Sequence, residues 1–433
     1  MGWLSWLLFA WLVVSPSLQL NVYPVRGSGI YSSTVLLIAV IVIAAARVIR
    51  DPRLLPWRSR MIAPLLAVAA TAVVAGLQGA LIYDRTLLGQ HRYALVQIYA
   101  VVLVGLSLAC SVAVAVLVRT SAQIRVIRMA VVTVTIWLVC ADLFRLPTPT
   151  IRWWPLAAGH ACALVMAWLL FEKHERWRDY VLGCAFVAVT FGTVVGIPFL
   201  AKVPSHWLSG WIALSVPMAL VVVIRFPLLT LRAVVPALAL FFYFQAARIE
   251  RVYVMAWHEG DFARLILWED AIRVALGRPM FGIGPGNYLD YIMRYGTFNW
   301  MLSSPHGNYQ QILAEMGLVG LGFVIWLFTR AIALGWRIYR RTQDDFVRSI
   351  AIGAVCGLGG QFAAAFVGDF VIPNYHNGGY VHLGVTIYAW VMIGVLMALE
   401  RNENVAVSAN AADPGGESRS APPSPPPATV AAR

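Results

Sequence analysis

The 433-residue sequence contains few charged residues: Asp, Glu, Lys and Arg together make up 12% of it, about half of the fraction usual in soluble domains. Hydrophobic residues make up 60%. They are gathered in almost uncharged runs of about 20 residues, the length that spans a bilayer as a helix. These features exclude a soluble enzyme, a disordered protein and a secreted disulfide-stabilised domain. They also disfavour a β-barrel, whose strands alternate apolar and polar residues.

Cysteine is scarce as well, and the five cysteines all fall inside apolar runs. We therefore expect them to be small core residues. No His or Cys spacing indicates zinc, and no paired acidic motif indicates another divalent metal, so the sequence predicts neither a metal site nor a cofactor. The formal net charge of +13 is expected to face anionic lipid headgroups rather than nucleic acid, because membrane proteins concentrate Lys and Arg in cytoplasmic loops.

Twelve apolar runs predict an all-α polytopic membrane protein. They cover residues 3–20, 30–47, 61–83, 94–118, 126–144, 154–171, 180–200, 208–224, 228–247, 311–335, 348–368 and 381–399. The first run lacks the basic start and the small-residue cleavage site of a signal peptide, so we predict a membrane helix there.

Lys and Arg are concentrated in alternate short loops, which predicts the side of the membrane on which each loop lies. The rich loops fall within residues 47–60, 119–128, 173–178, 225–232 and 337–348. We expect these loops, and with them both termini, to be cytoplasmic. The predicted regions are residues 1–247 with helices one to nine, a periplasmic loop at 248–310, the last three helices at 311–401, and a tail at 402–433. The tail is rich in Pro, Ala and Ser and is predicted to be disordered.

The long loop is expected to be functional, because connections of this length without a domain of their own usually are. Its sequence from Asp261 to Leu276 predicts an amphipathic helix on the membrane surface, with Asp261 as the N-cap. The apolar stripe of this helix consists of Leu265, Trp268, Ile272 and Leu276. Gly277 suits a left-handed C-terminal cap, and Pro279 prevents any continuation of the helix.

The motif GIGPGN, residues 282–287, follows this helix and has two interpretations. Its glycine spacing matches neither nucleotide-binding fingerprint and no strand precedes it, which favours a tight packing turn. Contact of its backbone with a ligand phosphate is the alternative. Asn287 is expected to cap the short helix that follows.

The segment SSPHGNYQQILAEMGLVGLG, residues 303–322, places a histidine at the extracytoplasmic mouth of the tenth membrane helix. Ser304 is expected to cap that helix and Pro305 to occupy its first turn. A helix N-terminus disfavours the imidazolium and so keeps His306 neutral, as a general base must be. The alternative is an interfacial histidine that only caps or hydrogen-bonds a loop. Three glycines are expected to permit close helix packing: Gly317, Gly320 and Gly322.

A second polar cluster joins the last two helices on the same face. Its members are Asp369, Asn374, Tyr375, His376, Asn377 and His382. The cluster either approaches His306 or forms a polar cap over the bundle. Lys202 and His206, in another loop of this face, are also expected within reach. His160 is expected to be a buried, hydrogen-bonded histidine of the sixth helix.

Two motifs carry a resemblance to a known family. One runs from Arg264 through Trp268 to GRPMFGIGPGNY. The other is PHGNYQQILAEMGLVGLG, with Gly307 inserted into a His-Asn…Gly-x-x-Gly pattern. Together with a long periplasmic loop late in a many-helix bundle, they resemble the O-antigen ligase and O-antigen polymerase superfamily of bacterial inner membranes. The resemblance covers roughly residues 185–400 and is specific in 260–322.

The resemblance implies a GT-C-like membrane glycosyltransferase that takes a glycan from undecaprenyl diphosphate on the periplasmic face, without a metal or cofactor. Ligases pass the glycan to the lipid A-core of lipopolysaccharide, and polymerases pass it to another lipid-linked repeat. The family pattern makes His306 the catalytic base, and it makes Arg264 the contact to the diphosphate, which a guanidinium matches in bidentate fashion. The other candidate contacts to diphosphate or acceptor are Lys202, Arg273, Arg278, Asn308, Tyr309, Gln310 and His376.

The family's Ser-Arg-Gly motif is absent: the nearest stretch is SHWLSGWIAL, residues 205–214. Lys202 is expected to replace the missing arginine as a point charge. An O-antigen ligase surrounded by membrane lipids is the leading hypothesis, and a polymerase of O-antigen or exopolysaccharide repeats uses the same chemistry. A transporter or lipid flippase is the alternative of another class. Transporters usually place ionisable groups at mid-membrane, whereas here they crowd at the extracytoplasmic ends.

Overall fold

The computed structural model describes residues 2–17, 21–23, 30–82, 93–146, 154–197, 208–236, 240, 243, 262–296, 304–374 and 379–412. Within these residues the chain is almost entirely helical, which confirms the all-α prediction for the described part. Two short strands, β1 (Asn21–Tyr23) and β2 (Ile30–Tyr31), pair in antiparallel fashion.

The helices follow the predicted apolar runs closely. They are α1 (Trp3–Ser17), α2 (Ser32–Arg50), α3 (Ile62–Leu81), α4 (Tyr93–Leu117), α5 (Ser121–Leu143), α6 (Pro155–Phe171), α7 (Trp177–Phe191), α8 (Leu208–Arg225), α9 (Phe262–Gly277), α10 (Tyr288–Tyr295), α11 (Asn308–Arg341), α12 (Asp345–Ala364) and α13 (Gly379–Ala412). A π-helical turn, Gly192–Gly196, continues α7, and the short stretches Pro227–Leu229 and Thr230–Val234 follow α8. The predicted ninth membrane helix, residues 228–247, is described only in part.

Among the described residues, seven helices are long and apolar enough to cross a membrane. They are α2, α3, α4, α5, α7, α11 and α12. An eighth span is counted if Ser209–Arg225 and Pro227–Ala233 form one bent span, with axes that differ by 114°. The bend lies at Phe226, which leaves helical geometry because a proline follows it. The structure therefore supports a polytopic membrane fold, and the count of twelve stays a prediction.

Helix α13 lies at the centre of the bundle. All of residues 386–400 are buried, and the helix packs against α4, α6, α11 and α12. Tyr388 donates a hydrogen bond to the Leu12 carbonyl at 3.0 Å, and Ser111 donates to the Trp390 carbonyl at 2.9 Å. A helix buried on every side is apolar all round. This burial explains why the sequence of α13 shows a continuous apolar run rather than a stripe.

The Arg-rich loops meet at one end of the bundle. The Glu400 carboxylate lies 2.7 Å from Ser59 Oγ and 3.9 Å from Arg60 Nε. The neighbouring Arg401 donates to two carbonyls at the end of α4, both at 2.6 Å. Helices α11 and α13 connect this basic end to the opposite end, at Asn308 and Gly379. The described Arg-rich loops thus lie at one end of the bundle.

Helix α11 is broken at Gly317, which has φ 68° and ψ −170°. The break frees backbone groups on both sides, and the segment from Pro279 to Gly284, which includes the start of the GIGPGN motif, binds to them. Ile283 and Gly284 donate their N–H groups to the carbonyls of residues 314 and 315 at 3.0 and 2.9 Å, and the N–H groups of residues 318 and 319 donate to the carbonyls of residues 279 and 280 at 2.8 and 3.2 Å. These bonds use the N–H groups within the protein, so the motif is a packing turn.

Replacing Gly317 with alanine is expected to lower the free energy of unfolding by at least about 2 kcal/mol, because the left-handed backbone is strained for any other residue. An added Cβ would also lie 2.2 Å from the Met280 carbonyl oxygen. Gly322→Ala in the same helix is the matched control, since no heavy atom lies within 4 Å of its added Cβ. We expect the control to be neutral or slightly stabilising. Denaturation in mixed micelles measures both variants, and equal stabilities would contradict the assigned role of Gly317.

Two predictions about helix ends near this turn are wrong. Gly277 is helical rather than left-handed, and the left-handed glycines lie further along, where the chain turns to meet α11: Gly282, Gly284 and Gly286. Asn287 precedes α10 but makes no capping hydrogen bond; its Nδ2 donates to the Ile283 carbonyl at 2.7 Å. Both errors arise because the turn is shaped by its docking on α11, which local sequence does not encode.

Three further predictions need correction. Gly322 faces open space and takes no part in close packing. Helix α13 continues to Ala412, past residue 402, where the sequence predicts a disordered tail. Cys184 is exposed on the surface of the bundle, whereas three cysteines are buried as predicted: Cys110, Cys162 and Cys356.

Candidate functional site

His306 lies at the end of the bundle opposite the Arg-rich loops. Its φ of 49° falls in the left-handed region, which costs a non-glycine residue on the order of 1–3 kcal/mol. The side chain is buried, with 8% of its surface exposed. The prediction that the helix starts at Ser304 is wrong, because α11 begins at Asn308 after an extended Gly307. His306 is therefore at the mouth of α11 but ahead of its first turn.

A serine and an aspartate hold the strained backbone of His306. Ser304 Oγ donates a hydrogen bond to Asp369 Oδ2 and accepts one from the His306 N–H at 2.9 Å. All three residues are buried. His382, near the start of α13, interacts electrostatically with both Asp369 and His306. Two described members of the second polar cluster, Asp369 and His382, thus lie near His306, in line with one of the two alternatives left open by the sequence.

Asn308 connects the start of α11 to the turn after α12. Its Oδ1 accepts the N–H groups of Val371 and Ile372 at 2.7 and 2.6 Å. Its Nδ2 donates to Gln311 Oε1 at 3.2 Å and to the Ile372 carbonyl at 3.0 Å. Two accepted and two donated bonds fill the capacity of a carboxamide. The structure therefore commits the polar atoms of this predicted substrate contact to the protein itself.

Helix α9 packs through Trp268 against the segment that precedes α11 and contains His306. The Trp268 Nε1–H donates to the Pro305 carbonyl at 3.0 Å, and its ring meets the Phe366 ring edge-on with centroids 5.2 Å apart. Arg264 is four residues before Trp268, so the two residues share one face of the helix. The Arg264 side chain lies outside the described part of the structure. The backbone position of Arg264 is one helical turn from Trp268, whose side chain binds the residue before His306.

The buried face of α9 differs from the predicted apolar stripe. The helix extends over Phe262–Gly277, one residue from the predicted bounds at the described end. Its buried side chains all lie off the stripe: Leu267, Asp270, Ala271 and Ala275. Three stripe residues are between 47% and 72% exposed: Leu265, Ile272 and Leu276. Glu269 and Arg273 are exposed on the same side of the helix and pair with each other, so this face is mixed rather than apolar, and contact of α9 with the membrane surface stays a prediction.

The buried Glu315 carboxylate caps helix α10. Its Oε1 accepts the N–H groups of Gly286 and Tyr288 at 3.0 and 3.3 Å, and its Oε2 accepts Gln311 Nε2–H at 3.1 Å. A carboxylate at a helix N-terminus satisfies N–H groups that have no partner within the helix. Glu315 was not among the residues that the sequence singled out as functional. The missed signal was an acidic residue inside an apolar membrane helix, which is seldom without a role.

Tyr288 of α10 connects this capped helix to α9. Its hydroxyl donates to the Leu267 carbonyl at 2.8 Å. The pKa of the phenol is raised above its ordinary value by burial and, to a smaller extent, by three nearby carboxylates: Asp270, Glu315 and Asp369. The hydroxyl therefore remains protonated and a hydrogen-bond donor at any physiological pH. Glu315, α10 and Tyr288 thus fix the helix that carries Arg264 and Trp268.

Arg273, further along α9, and Arg278, just past its end, line a separate cavity of about 230 Å³ between α9, the GIGPGN turn and α10. Arg273 pairs within its own helix with Glu269 at 2.6 Å and Asp270 at 3.3 Å. Arg278 Nη2 donates to the Ile82 carbonyl at 3.1 Å. The structure does not bring these two predicted contacts together with His306.

Tyr309 and Gln310 differ in the partners of their polar groups. The Tyr309 hydroxyl donates to the Phe362 carbonyl, so it binds α11 to α12. Gln310 Oε1 is buried and has no hydrogen-bond partner among the described residues. A Cβ added to Gly307 would lie 2.3 Å from this oxygen. Gln310 therefore supplies a hydrogen-bond acceptor next to the His306 segment.

The remaining predicted residues stand as follows. Lys202, His206, Tyr375, His376 and Asn377 lie outside the described residues. His160 is confirmed as a buried, hydrogen-bonded histidine, because its Nε2 lies 2.6 Å from Gln361 Oε1. In the described part of the chain, no three His, Cys, Asp or Glu side chains are arranged to hold a metal ion.

Ser304→Ala is expected to lower both stability and turnover, because it leaves the His306 N–H and the Asp369 carboxylate without this partner. Each buried group left unbonded costs roughly 1–3 kcal/mol. Ser107→Ala is the matched control: Ser107 is equally buried, but its hydroxyl bonds only to the Leu103 carbonyl of its own helix at 3.0 Å. Thermal denaturation in detergent measures the stability of both variants, and the initial rate of the glycan transfer that the family resemblance implies measures their turnover. Equal turnover in the two would show that the serine does not position His306.

No known family profile matches the chain, and no curated protein sequence matches it. Among solved structures, one match is a chain from work on the structural coordination of polymerization and crosslinking by a peptidoglycan synthase complex. The TM-score is 0.43 and the sequence identity is 17%, with 79% of this chain and 97% of that chain covered. A similarity of this strength carries no inference about activity.

Proposed function

We propose that this protein is a membrane glycosyltransferase of the O-antigen ligase type. It transfers a glycan as one block from undecaprenyl diphosphate to the lipid A-core of lipopolysaccharide. The observation that carries the proposal is the geometry at His306. This buried histidine is held in a strained conformation by Ser304 and Asp369 at the mouth of a membrane helix, and Trp268 of the helix that carries Arg264 donates to the carbonyl of the residue before it.

The proposed reaction is a single displacement at the anomeric carbon of the donor. The His306 imidazole removes the proton from a hydroxyl of the acceptor as that oxygen attacks. The new glycosidic bond forms as the bond to the diphosphate oxygen breaks, on the opposite side of the carbon, so the configuration inverts. The bond electrons leave with undecaprenyl diphosphate, and the proton ends on His306.

Arg264 is proposed to bind the leaving diphosphate. Negative charge increases on this group as the bond breaks, and a preorganised cation stabilises that charge most strongly in the transition state. A guanidinium presents two parallel N–H donors to phosphate oxygens. Neither the base nor the arginine requires a metal, so we expect the reaction to proceed with a chelator present.

The site is proposed to face the periplasm of a bacterial inner membrane, with both termini in the cytoplasm. The Arg-rich loops gather at the end of the bundle opposite His306, and loops rich in Lys and Arg remain cytoplasmic. Lipid-linked donors reach such a site from the bilayer.

The acceptor is tested with purified protein, an undecaprenyl-diphosphate glycan and a chelator, with rough lipopolysaccharide added to one tube and omitted from the other. A ligase places glycan on lipopolysaccharide in the first tube and leaves the donor length unchanged in the second. Lengthening of the lipid-linked glycan in both tubes would assign the protein as a polymerase instead.

A further inference from the structure

A second polar cavity lies at the Arg-rich end of the bundle, far from His306. Its volume is about 650 Å³. It is formed where α6 and α8 end, where α12 begins, and beside the last turns of α11. Its apolar lining includes Leu169, Leu170 and Ile224. The cavity therefore has an apolar wall and lies at the level where these helices leave the membrane.

The cavity has an excess of positive charge. Three cations line it, Lys173, Arg225 and Arg348, together with two carboxylates, Glu172 and Asp345. Glu172 is already bound, with its Oε1 at 2.5 Å from both Arg128 Nη1 and Ser349 Oγ. Among the described residues, none of the three cations forms an ion pair. An anion that enters the cavity would therefore meet charge that the protein has not neutralised.

Aromatic rings hold the two guanidinium groups in place. Arg225 lies over the rings of Phe171 and Phe226, at 5.7 and 5.3 Å from their centroids, and Arg348 lies over Tyr339 at 5.3 Å. Arg225 Nε also donates to the Leu170 carbonyl at 3.1 Å. Arginines stacked in this way keep their outer N–H donors available for phosphate oxygens.

We propose that this cavity binds the phosphate of an anionic glycerophospholipid headgroup. Basic pockets between membrane helices on the cytoplasmic side are suited to such headgroups, and the aromatic side chains suit the membrane–water interface. The leucines and Ile224 supply a wall for the start of the acyl chains. The proposal is independent of the reaction at His306, because the two sites lie at opposite ends of the bundle.

The test is native mass spectrometry of the full chain in a neutral detergent. Phosphatidylglycerol and phosphatidylcholine with identical acyl chains compete at equal concentration. We expect the wild-type protein to prefer phosphatidylglycerol by about tenfold, as two or more guanidinium contacts allow. In the double variant Arg225→Gln with Arg348→Gln, the preference should fall to within about twofold. The double variant Arg50→Gln with Arg58→Gln is the control, since these arginines are exposed at the same end outside the cavity.

Two results would overturn the proposal: no preference in the wild-type protein, or an equal loss of preference in the control variant. A third arm adds inorganic phosphate or glycerol phosphate at a tenfold excess to the wild-type protein. Retained lipid supports a lipid site, whereas displacement at that excess would assign the cavity to a free phosphate compound. This arm uses only the wild-type chain, so it decides the question even if the variants fold poorly.

Discussion

Replacing His306 with asparagine is expected to lower the rate of glycan transfer by at least about 100-fold, the usual contribution of a general base. Asparagine tolerates the left-handed backbone that His306 adopts, and it keeps a polar side chain in the buried position. It has no group that accepts a proton at neutral pH. The variant should therefore fold, bind the donor normally and lose turnover. Steady-state rates and donor affinity in detergent measure these properties separately.

A purely structural role for His306 predicts a different pattern. If the histidine only secured the loop, the asparagine variant would retain turnover, or it would lose stability and activity together. If His306 is the base, the thermal midpoint of the asparagine variant should stay close to that of the wild-type protein. By contrast, Ser304→Ala should reduce both quantities, because Ser304 binds the backbone of His306 rather than the substrate. Near wild-type turnover in the asparagine variant would rule out His306 as the base.

Arg264→Lys is expected to lower transfer by at least about tenfold, although the positive charge is retained. Lysine offers a point charge and cannot make the paired N–H contacts that a guanidinium makes with a diphosphate. The loss should appear mainly in the rate of the chemical step, since the charge on the leaving group increases in the transition state.

Arg294→Lys is the matched control for Arg264→Lys. Arg294 lies exposed in the last turn of α10, on another helix of the same loop. We expect this change to leave transfer unaffected. Equal rates for both variants would make Arg264 a surface residue and would remove it from the diphosphate site.

Hydropathy predicted most of the helices, because a helix buried in a bilayer needs a long apolar run. Each such run can be recognised in the sequence without knowing what packs against it. Helix α13 is an example: its continuous apolar run reflects burial on every side. The kink at Gly317 was not predicted, since glycine also occurs at ordinary helix contacts. Its function depends on the GIGPGN turn that docks there, and this contact joins segments about thirty residues apart.

The site was predicted in part. The motif around His306 placed the histidine at a helix mouth, whereas the sequence left open whether the cluster containing Asp369 approaches it or forms a polar cap over the bundle. The start of α11 was predicted too early. Serine is a common N-cap residue, but the Ser304 hydroxyl donates to Asp369. The contributions of Glu315 and Tyr288 were missed because they act through backbone groups of distant segments. No local sequence pattern reports such contacts.

The most direct test of the proposed reaction is to measure free undecaprenyl diphosphate by mass spectrometry. Wild-type and His306→Asn proteins are incubated in parallel with the lipid-linked glycan, the rough lipopolysaccharide acceptor and a chelator. Glycosyl transfer predicts that the wild-type protein releases one undecaprenyl diphosphate for each glycan that reaches the acceptor, and that the variant releases almost none. If the donor remains intact and merely crosses a liposome bilayer in the presence of the wild-type protein, the protein is a lipid transporter and the transferase proposal is contradicted.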